Sequence, residues 1–382
     1  MRVLHVCDFI DPEKGGGTAE RTYQMARSLL GAGVDCSILT TQIGLNGARR
    51  AALAGVDLNA CSYVPGRFVF PLISPRRVRQ LVAQADLVHA MGHWSLLNVM
   101  ACRAARQLGK PYIVCPAGAL EIFGRSGALK RFFNVVAGRR MVNEATRCFA
   151  ITELEREQFV KYGVPRDRIV IVPNGIDPQT TLLADEHQVV EFRTRHGLGE
   201  APFILFLGRL DLVKGPDLLL DAFLAIADRF EKYQLVFAGP DEGMKAGMEE
   251  RLADSAYTGR VRFIGYLGGL EKSAAYAAAC LLVVPSRREA MSLVALEAGF
   301  AGTPVLLTDQ CGFDEIEAIG GGGVCAPTAV GIAKRMATLL AQSVNLHAMG
   351  TVLQRHINQY YTWPAINQRC VGIYKSLCAG GA

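Results

Sequence analysis

The chain has 382 residues, half of them hydrophobic and a fifth charged, with a net charge of +6; this is ordinary globular composition, with length enough for two domains that each bury a core. No apolar run reaches the roughly 18–20 residues of a membrane-spanning helix, and no secretory leader is expected, because Arg2 leads directly into a strand-like segment. The eleven cysteines form no CxxC pair and lie mostly in apolar runs (Cys7, Cys36, Cys115, Cys148, Cys280), which argues against a disulfide frame or a zinc module and reads as the reduced thiols of a cytoplasmic protein.

In chain order, a strand over 2–7 is followed by a loop over 8–17, a helix over 18–31 and a strand over 35–41. Ser74-Pro75 is a helix start for 76–83. Short strands over 86–90 and 111–115 flank a helix over 95–108, which Gly109 and Pro111 end. A basic helical region over 128–144, a strand over 146–151, a helix over 153–162 and a strand over 169–172 complete the first half. The run Pro173-Asn174-Gly175-Ile176-Asp177-Pro178 is dense in turn formers and marks a hinge. After a polar segment over 184–200, strands over 203–208, 234–239, 261–265, 281–284 and 304–308 alternate with helices near 216–230, 246–256, 270–279, 292–301 and 329–341. A last helix over 364–377 follows an aromatic stretch, Tyr360 to Trp363. Strands that are apolar throughout, alternating with helices, predict doubly wound parallel sheets. The expected domains are 1–178 and 179–362, and the cleft at the carboxyl ends of their strands is the expected ligand site.

Three stretches carry chemistry. In 281–309 a buried strand ends at Pro285-Ser286, and a charged turn precedes a helix of small residues. Glu289 lies in the loop and Glu297 in the helix. The amides of Met291, Ser292 and Leu293 would stand unpaired at the helix start, where the dipole favours an anion. Glu297, among Ala295, Leu296, Ala298 and Gly299, is either a paired core carboxylate or a ligand contact. In 207–215 Arg209 offers a planar fork and Lys214 a point charge to phosphate oxygens, at a strand end that precedes a helix; a solvated face is the alternative. Gly15-Gly16-Gly17-Thr18 permits close backbone approach before a helix, but it has neither dinucleotide-fingerprint nor Walker A spacing.

Taken together, Gly208-Arg209-Leu210 with Lys214-Gly215, the Glu289/Glu297 pair inside 285–298, Pro173 to Asp177 and the glycine-rich loop after the first strand resemble the retaining GT-B glycosyltransferases of family GT4, over nearly the whole chain. The resemblance implies an α/β GT-B fold: two Rossmann-like, doubly wound parallel-sheet domains facing an interdomain cleft. The first domain takes the acceptor, the second the nucleotide-diphosphate sugar, and the helix within 363–382 packs back on the first. It also implies that Arg209 and Lys214 neutralise the diphosphate, helped by Met291, Ser292, Leu293 and by Gly16 or Gly17. Glu289 meets the donor sugar, Glu297 the ribose, and Tyr266 and Leu267 line the base. No protein nucleophile is implied. No cofactor is expected beyond the donor substrate, UDP- or GDP-linked, and no metal, since two cations replace one and no DxD triplet is present.

The sequence departs from the family where a histidine commonly precedes glycine: it reads Pro116-Ala117-Gly118. On the acceptor side, His93 (beside Trp94) and Glu121 are the candidates, with His89 read as a structural hydrogen-bonding residue. Charge is uneven: residues 1–178 hold 23 Lys and Arg against 14 Asp and Glu, and the remainder 18 against 21. Arg125, Lys130, Arg131, Arg139 and Arg140 interleave with Phe132, Phe133, Val135 and Val136, and Arg67, Phe68, Arg76, Arg77 and Arg79 add to the same half. The expected partners are therefore a glycan or lipid-linked acceptor and an anionic inner-membrane surface, with the protein peripheral on the cytoplasmic face; an ordinary helix with a buried Phe/Val face and simple charge drift are the alternatives. Nucleic acid is not expected. A sugar-nucleotide epimerase and a catalytically silent nucleotide-sugar-binding protein are the rival functions.

Overall fold

The computed structural model describes residues 1–66, 69–122, 126–341 and 343–379; Arg67, Phe68 and Arg125, part of the expected basic surface, lie outside the described residues. The chain forms two compact units, Met1–Gly175 with Trp363–Ala382, and Ile176–Thr362.

In the first unit, strands β1 (Arg2–Val6), β2 (Asp35–Thr41), β3 (Asp57–Val64), β4 (Phe70–Leu72), β5 (Leu87–Met91), β6 (Tyr112–Cys115), β7 (Arg147–Ala150) and β8 (Ile169–Ile171) make one sheet in the order β4-β3-β2-β1-β5-β6-β7-β8. All neighbours run parallel except β4, which is antiparallel to β3. The order reverses direction between β1 and β5, where His5 lies opposite His89. Central strands are buried on both faces, as helices on both sides of a parallel sheet require. One core packs Leu4, Val6, Val88 and Val114 against Leu97, Ala101 and Phe159.

In the second unit, β9 (Phe203–Leu207), β10 (Gln234–Ala238), β11 (Val261–Gly265), β12 (Leu281–Val284), β13 (Val305–Thr308) and β14 (Gly322–Cys325) lie in the order β11-β10-β9-β12-β13-β14, all parallel. Here the reversal falls between β9 and β12. Its core joins Ile204, Phe206 and Phe237 to Leu219, Phe223 and Met336. The doubly wound α/β expectation holds in both units.

Several elements escaped the sequence reading for identifiable reasons. β3 is half exposed along most of its length and lacks an apolar run. β4 is three residues with a proline at its centre, tolerated only at an edge. β14 opens on two glycines, which read as a turn. The long helix Ser343–Tyr360 carries Gly350 and no cap signal. The basic region is three pieces, Gly127–Phe133, a π-helical turn Asn134–Gly138, and Arg139–Asn143.

The closing helix, Trp363–Ala379, belongs to the first unit. Tyr374 Oη lies 2.8 Å from His89 Nδ1, and Trp363 is 2% exposed. Arg21 organises this seam. Its guanidinium donates to Pro173 O (2.7 Å), Asn174 Oδ1 (3.0 Å) and Val172 O (2.8 Å), and it stands over the Trp363 ring at 5.5 Å. A buried cation is tolerable only with such a set of acceptors. Among the described residues, no helix is long and apolar enough to cross a membrane.

Candidate functional site

The site in the second unit is built where the strand order reverses, at the carboxyl ends of β9 and β12, the position at which open α/β sheets bind ligands. The loop after β9 bends through Gly215, whose φ of 68° is left-handed and whose missing side chain would lie 2.3 Å from Pro285 O. Only glycine permits that approach. The two loops are then laced together: Arg287 N donates to Val213 O (2.8 Å). Arg287 also grips Asp217 through two hydrogen bonds of 2.8 and 2.6 Å. Burial works to raise the Asp217 carboxyl, and the Arg287 guanidinium outweighs it and holds the group below the usual carboxylate range.

Lys214 and Glu289 meet across this junction. Lys214 Nζ lies 2.7 Å from Glu289 Oε1, and Ser286 Oγ donates to Oε2 at 3.1 Å. Ser286 is itself fully buried, and its carbonyl accepts from Thr308 Oγ1 at 2.6 Å. Glu289 N donates to Gln310 O at 2.9 Å. The carboxylate is therefore held on both oxygens and at its backbone. Arg209, about half exposed, pairs with Asp211 (3.0 Å) and Glu242 (2.8 Å). Both cations are balanced by carboxylates, an arrangement in which one anion can be exchanged for another.

The helix after this loop is Leu293–Phe300, with Ser292 as its cap: Ser292 Oγ accepts from Ala295 N at 3.2 Å. The expected anion cradle needs one correction. Ser292 N is not open, since it donates to Cys311 O at 3.1 Å; the loop after β13 rises close enough to satisfy it. Among the described residues, Leu293 N and Val294 N have no acceptor, so Leu293 stands open as expected, Ser292 does not, and Val294 joins the set. Glu297 answers to both of its readings. It is paired, with Lys272 Nζ at 2.8 Å and Tyr276 Oη at 2.7 Å, and its side chain remains 23% exposed. Burial and the Glu297 charge push the Tyr276 phenol well above its ordinary value, so it stays a donor. Each carboxylate oxygen keeps a second acceptor direction. Of the residues after β11, Tyr266 is 75% exposed and Leu267 only 4%, so of the two only Tyr266 presents a surface.

The first unit treats its strand ends differently. Gly15 to Gly17 join two helical stretches: a short first turn starts at Pro12, with Asp11 O accepting from Lys14 N and Gly15 N, and Gly16 (φ 58°, ψ −147°) breaks from helical geometry before the long helix that runs on to Gly31, close to the expected start at Thr18. Gly16 and Gly17 are nonetheless exposed, and a side chain at either would meet nothing within 4 Å. His93 is not on an open face: it is 1% exposed, bound to Asn134 Oδ1 (2.8 Å) and Tyr162 Oη (3.2 Å). The rings of Trp94 and Phe133 pack against it. Burial lowers it to about 4, so the imidazole is neutral, and aromatic packing accounts for the correction. His89 is buried and tied to Tyr374, as a structural histidine. Glu121 is exposed in the segment after β6. No His, Cys, Asp or Glu cluster suited to a metal occurs among the described residues.

Two residues of this unit were missed. Asp8, just past β1, accepts from Ser95 Oγ at 2.6 Å; burial raises its carboxyl to about 6 against the pull of that hydroxyl. Glu155, 2% exposed, accepts from Gly118 N (2.6 Å) and Ile151 N (2.8 Å). It thereby holds the segment where Ala117 takes a left-handed φ of 51°. The T-x-x-E pattern at Thr152 was a signal for Glu155, although its carboxylate serves the neighbouring loop instead of the cap.

With this geometry in place, the comparisons are direct. Residues 16–175 match the family model described as Glycosyl transferase 4-like domain, and residues 190–352 match Glycosyl transferases group 1. A D-inositol 3-phosphate glycosyltransferase of Frankia alni is 28% identical over 338 residues, 79% of this chain and 80% of that protein. An uncharacterized glycosyltransferase of Methanocaldococcus jannaschii is 28% identical over 235 residues, 60% of each chain. The crystal structure of Anabaena HepE in complex with UDP-glucose superposes with a TM-score of 0.77 at 18% identity, covering 98% of this chain and all of that one.

Proposed function

Because the chain belongs to the GT4 family of GT-B glycosyltransferases, we propose that it moves a hexose-type sugar from a UDP- or GDP-linked donor onto a glycan or lipid-linked acceptor, with retention. The observation that carries this reading is the Lys214–Glu289 pair at 2.7 Å, set where the second sheet reverses, with Arg209 on the same loop and open helix amides at Leu293 and Val294.

Cleavage of the sugar–phosphate bond leaves negative charge on the diphosphate and positive charge on the ring. Lys214, Arg209 and the two amides stabilise the first, and a preorganised donor of this kind is worth about 3–4 kcal/mol. Glu289 accepts from a hydroxyl of the donor sugar. Glu297 takes the ribose hydroxyls on the acceptor directions that Lys272 and Tyr276 leave open, and Tyr266 offers its ring to the base. With no protein nucleophile among these residues, the acceptor attacks from the face the leaving group departs, and a phosphate oxygen takes its proton. The cations supply the charge a metal would, so turnover is expected to survive a chelator.

The exposed Phe132, Val135 and Val136 among arginines support a peripheral position on the anionic cytoplasmic face of a membrane. The acceptor is then lipid-linked or assembled at that face, in polysaccharide or glycolipid synthesis. Ala117, where the family resemblance implies a histidine, favours a second reading, nucleotide-sugar binding without turnover. One assay separates the two. UDP-glucose, UDP-galactose and GDP-mannose are incubated with the protein, and nucleoside diphosphate release is followed with and without membrane extract as acceptor source. Release stimulated by extract, unchanged by EDTA, with an axial product anomer from an axial donor, is expected. Binding without release from any donor would leave only the silent reading.

A further inference from the structure

The segment after β6 poses a problem that the site does not absorb. Its π-helical turn, Asn134–Gly138, adds a residue to the helical repeat, a feature frequent at functional positions. Phe133, Asn134, Gly138, Met141 and Val142 face inward and are buried, while Phe132, Val135 and Val136 are 65%, 83% and 63% exposed. A contiguous apolar patch of this kind on a monomer's surface marks an interaction.

Beside it, between the turn and the helix Leu96–Gln107, runs a groove of about 580 Å³ whose apolar floor is Val99, Val136 and Met141 and whose rim is Arg103, Arg106 and Arg140. Arg106 and Arg140 share Glu144. Arg103 is exposed and has no partner among the described residues. Three guanidiniums against one carboxylate leave the rim cationic. The groove runs along a helix that starts beside β5's carboxyl end; neither Asp8 nor His93 lines it, and His93 holds Asn134 at the start of the turn that walls it. A small soluble anion would use the rim and leave the floor wet. An amphiphile with a phosphate head uses both.

We propose that this groove binds the phosphate of an anionic glycerophospholipid, with the glycerol and first methylenes on the Val99–Val136–Met141 floor and Phe132 and Val135 entering the headgroup layer. Guanidinium matches phosphate in geometry as well as charge. The proposal deepens the membrane-face reading and rests on it.

The test has two arms. In the first, flotation compares phosphatidylcholine vesicles with phosphatidylcholine–phosphatidylglycerol vesicles, using the parent, Arg103→Gln/Arg140→Gln, and Arg49→Gln/Arg50→Gln, which removes equal charge from the helix after β2. In the second, dihexanoyl-phosphatidylglycerol below its micellar concentration is titrated against sn-glycerol phosphate and inorganic phosphate. Flotation only with the anionic lipid is expected, falling by roughly fivefold per arginine in the groove variant and little in the control. The short-chain lipid should bind and the two soluble phosphates should not. Equal losses in both variants, or inorganic phosphate binding as tightly as the lipid, would overturn the groove. A parent that binds the short-chain lipid without floating would keep the groove and end the membrane reading; flotation without short-chain binding would do the reverse.

Discussion

The two units share a topology and use its reversal point in opposite ways. At β9/β12 the second unit gathers partly exposed charges, each cation held by at least one carboxylate: Arg209 by Asp211 and Glu242, Lys214 by Glu289, Lys272 by Glu297. At β1/β5 the first unit gathers histidines that burial keeps uncharged, His5 lowered to about 4 and His89 well below its usual range, beside Asp8, whose carboxyl burial raises to about 6. Paired surface charges can be traded for a ligand's charges, whereas buried neutral groups cannot be traded without breaking the core. The comparison is what supports the proposal that the second unit, and not the first, takes the anionic donor.

The comparison breaks most visibly if Lys214 can be removed cheaply. Lys214→Ala takes away the cation facing the leaving group and leaves Glu289 unpaired, so kcat for donor turnover should fall about 10²–10³-fold. The protein should stay folded, as near-ultraviolet circular dichroism will report. Loss confined to KM would mean that Lys214 only binds.

The second effect belongs to the first unit and is one of stability. Burial holds His5 and His93 near 4 in the folded protein against 6.5 ordinarily. Between those values the unfolded chain carries more protons, so stability is full above pH 6.5 and is lost as pH falls toward 4, by up to about 3 kcal/mol per histidine. Asp8 runs the other way: raised from 3.8 to about 6, it favours the folded state as it takes up its proton in that window and offsets part of the loss. Thermal melts from pH 7.5 to 4.5 should show a falling Tm, with a shallower fall in His5→Leu. A pH-independent Tm would mean these histidines are not sealed.

Smaller effects sharpen the picture inside the second unit. Ser286→Ala frees one oxygen of Glu289 and should lower kcat about tenfold with donor KM nearly unchanged, the worth of a hydrogen bond to a charged group. Ser286→Thr should restore most of it, as a positioning role requires. Glu297→Gln should raise donor KM about fivefold and alter kcat little, since it weakens hydrogen bonding by roughly 1 kcal/mol far from the breaking bond. A kcat loss equal to that of Lys214→Ala would place Glu297 at the reacting centre instead.

How much of this was legible follows the same division. Strands 203–208 and 281–284, and the cations and carboxylates after them, stood out because buried apolar runs and loop charges are local signals. Their partners did not. The Thr308–Ser286–Glu289 chain spans loops distant in sequence, and nothing local to Ser292 says that Cys311 O will take its amide. In the first unit His89 was legible as a structural histidine, but His93 was visible as a residue and not as a buried one. His93 reads as a loop residue beside Trp94, and only the return of Asn134 and Tyr162 closes the box around it. The π-helical turn was hidden for a similar reason, because one extra residue in a helix leaves the apolar count unchanged and alters only which side chains face out.

The central claim is tested most directly by a crystal structure of the protein with UDP and with its turned-over UDP- or GDP-sugar. The account predicts the distal phosphate within hydrogen-bonding distance of Lys214 Nζ and of the Leu293 and Val294 amides, with Arg209 turned from Glu242 toward the diphosphate. A diphosphate seated elsewhere, with Lys214 still on Glu289 in a protein that consumes the donor, would contradict it.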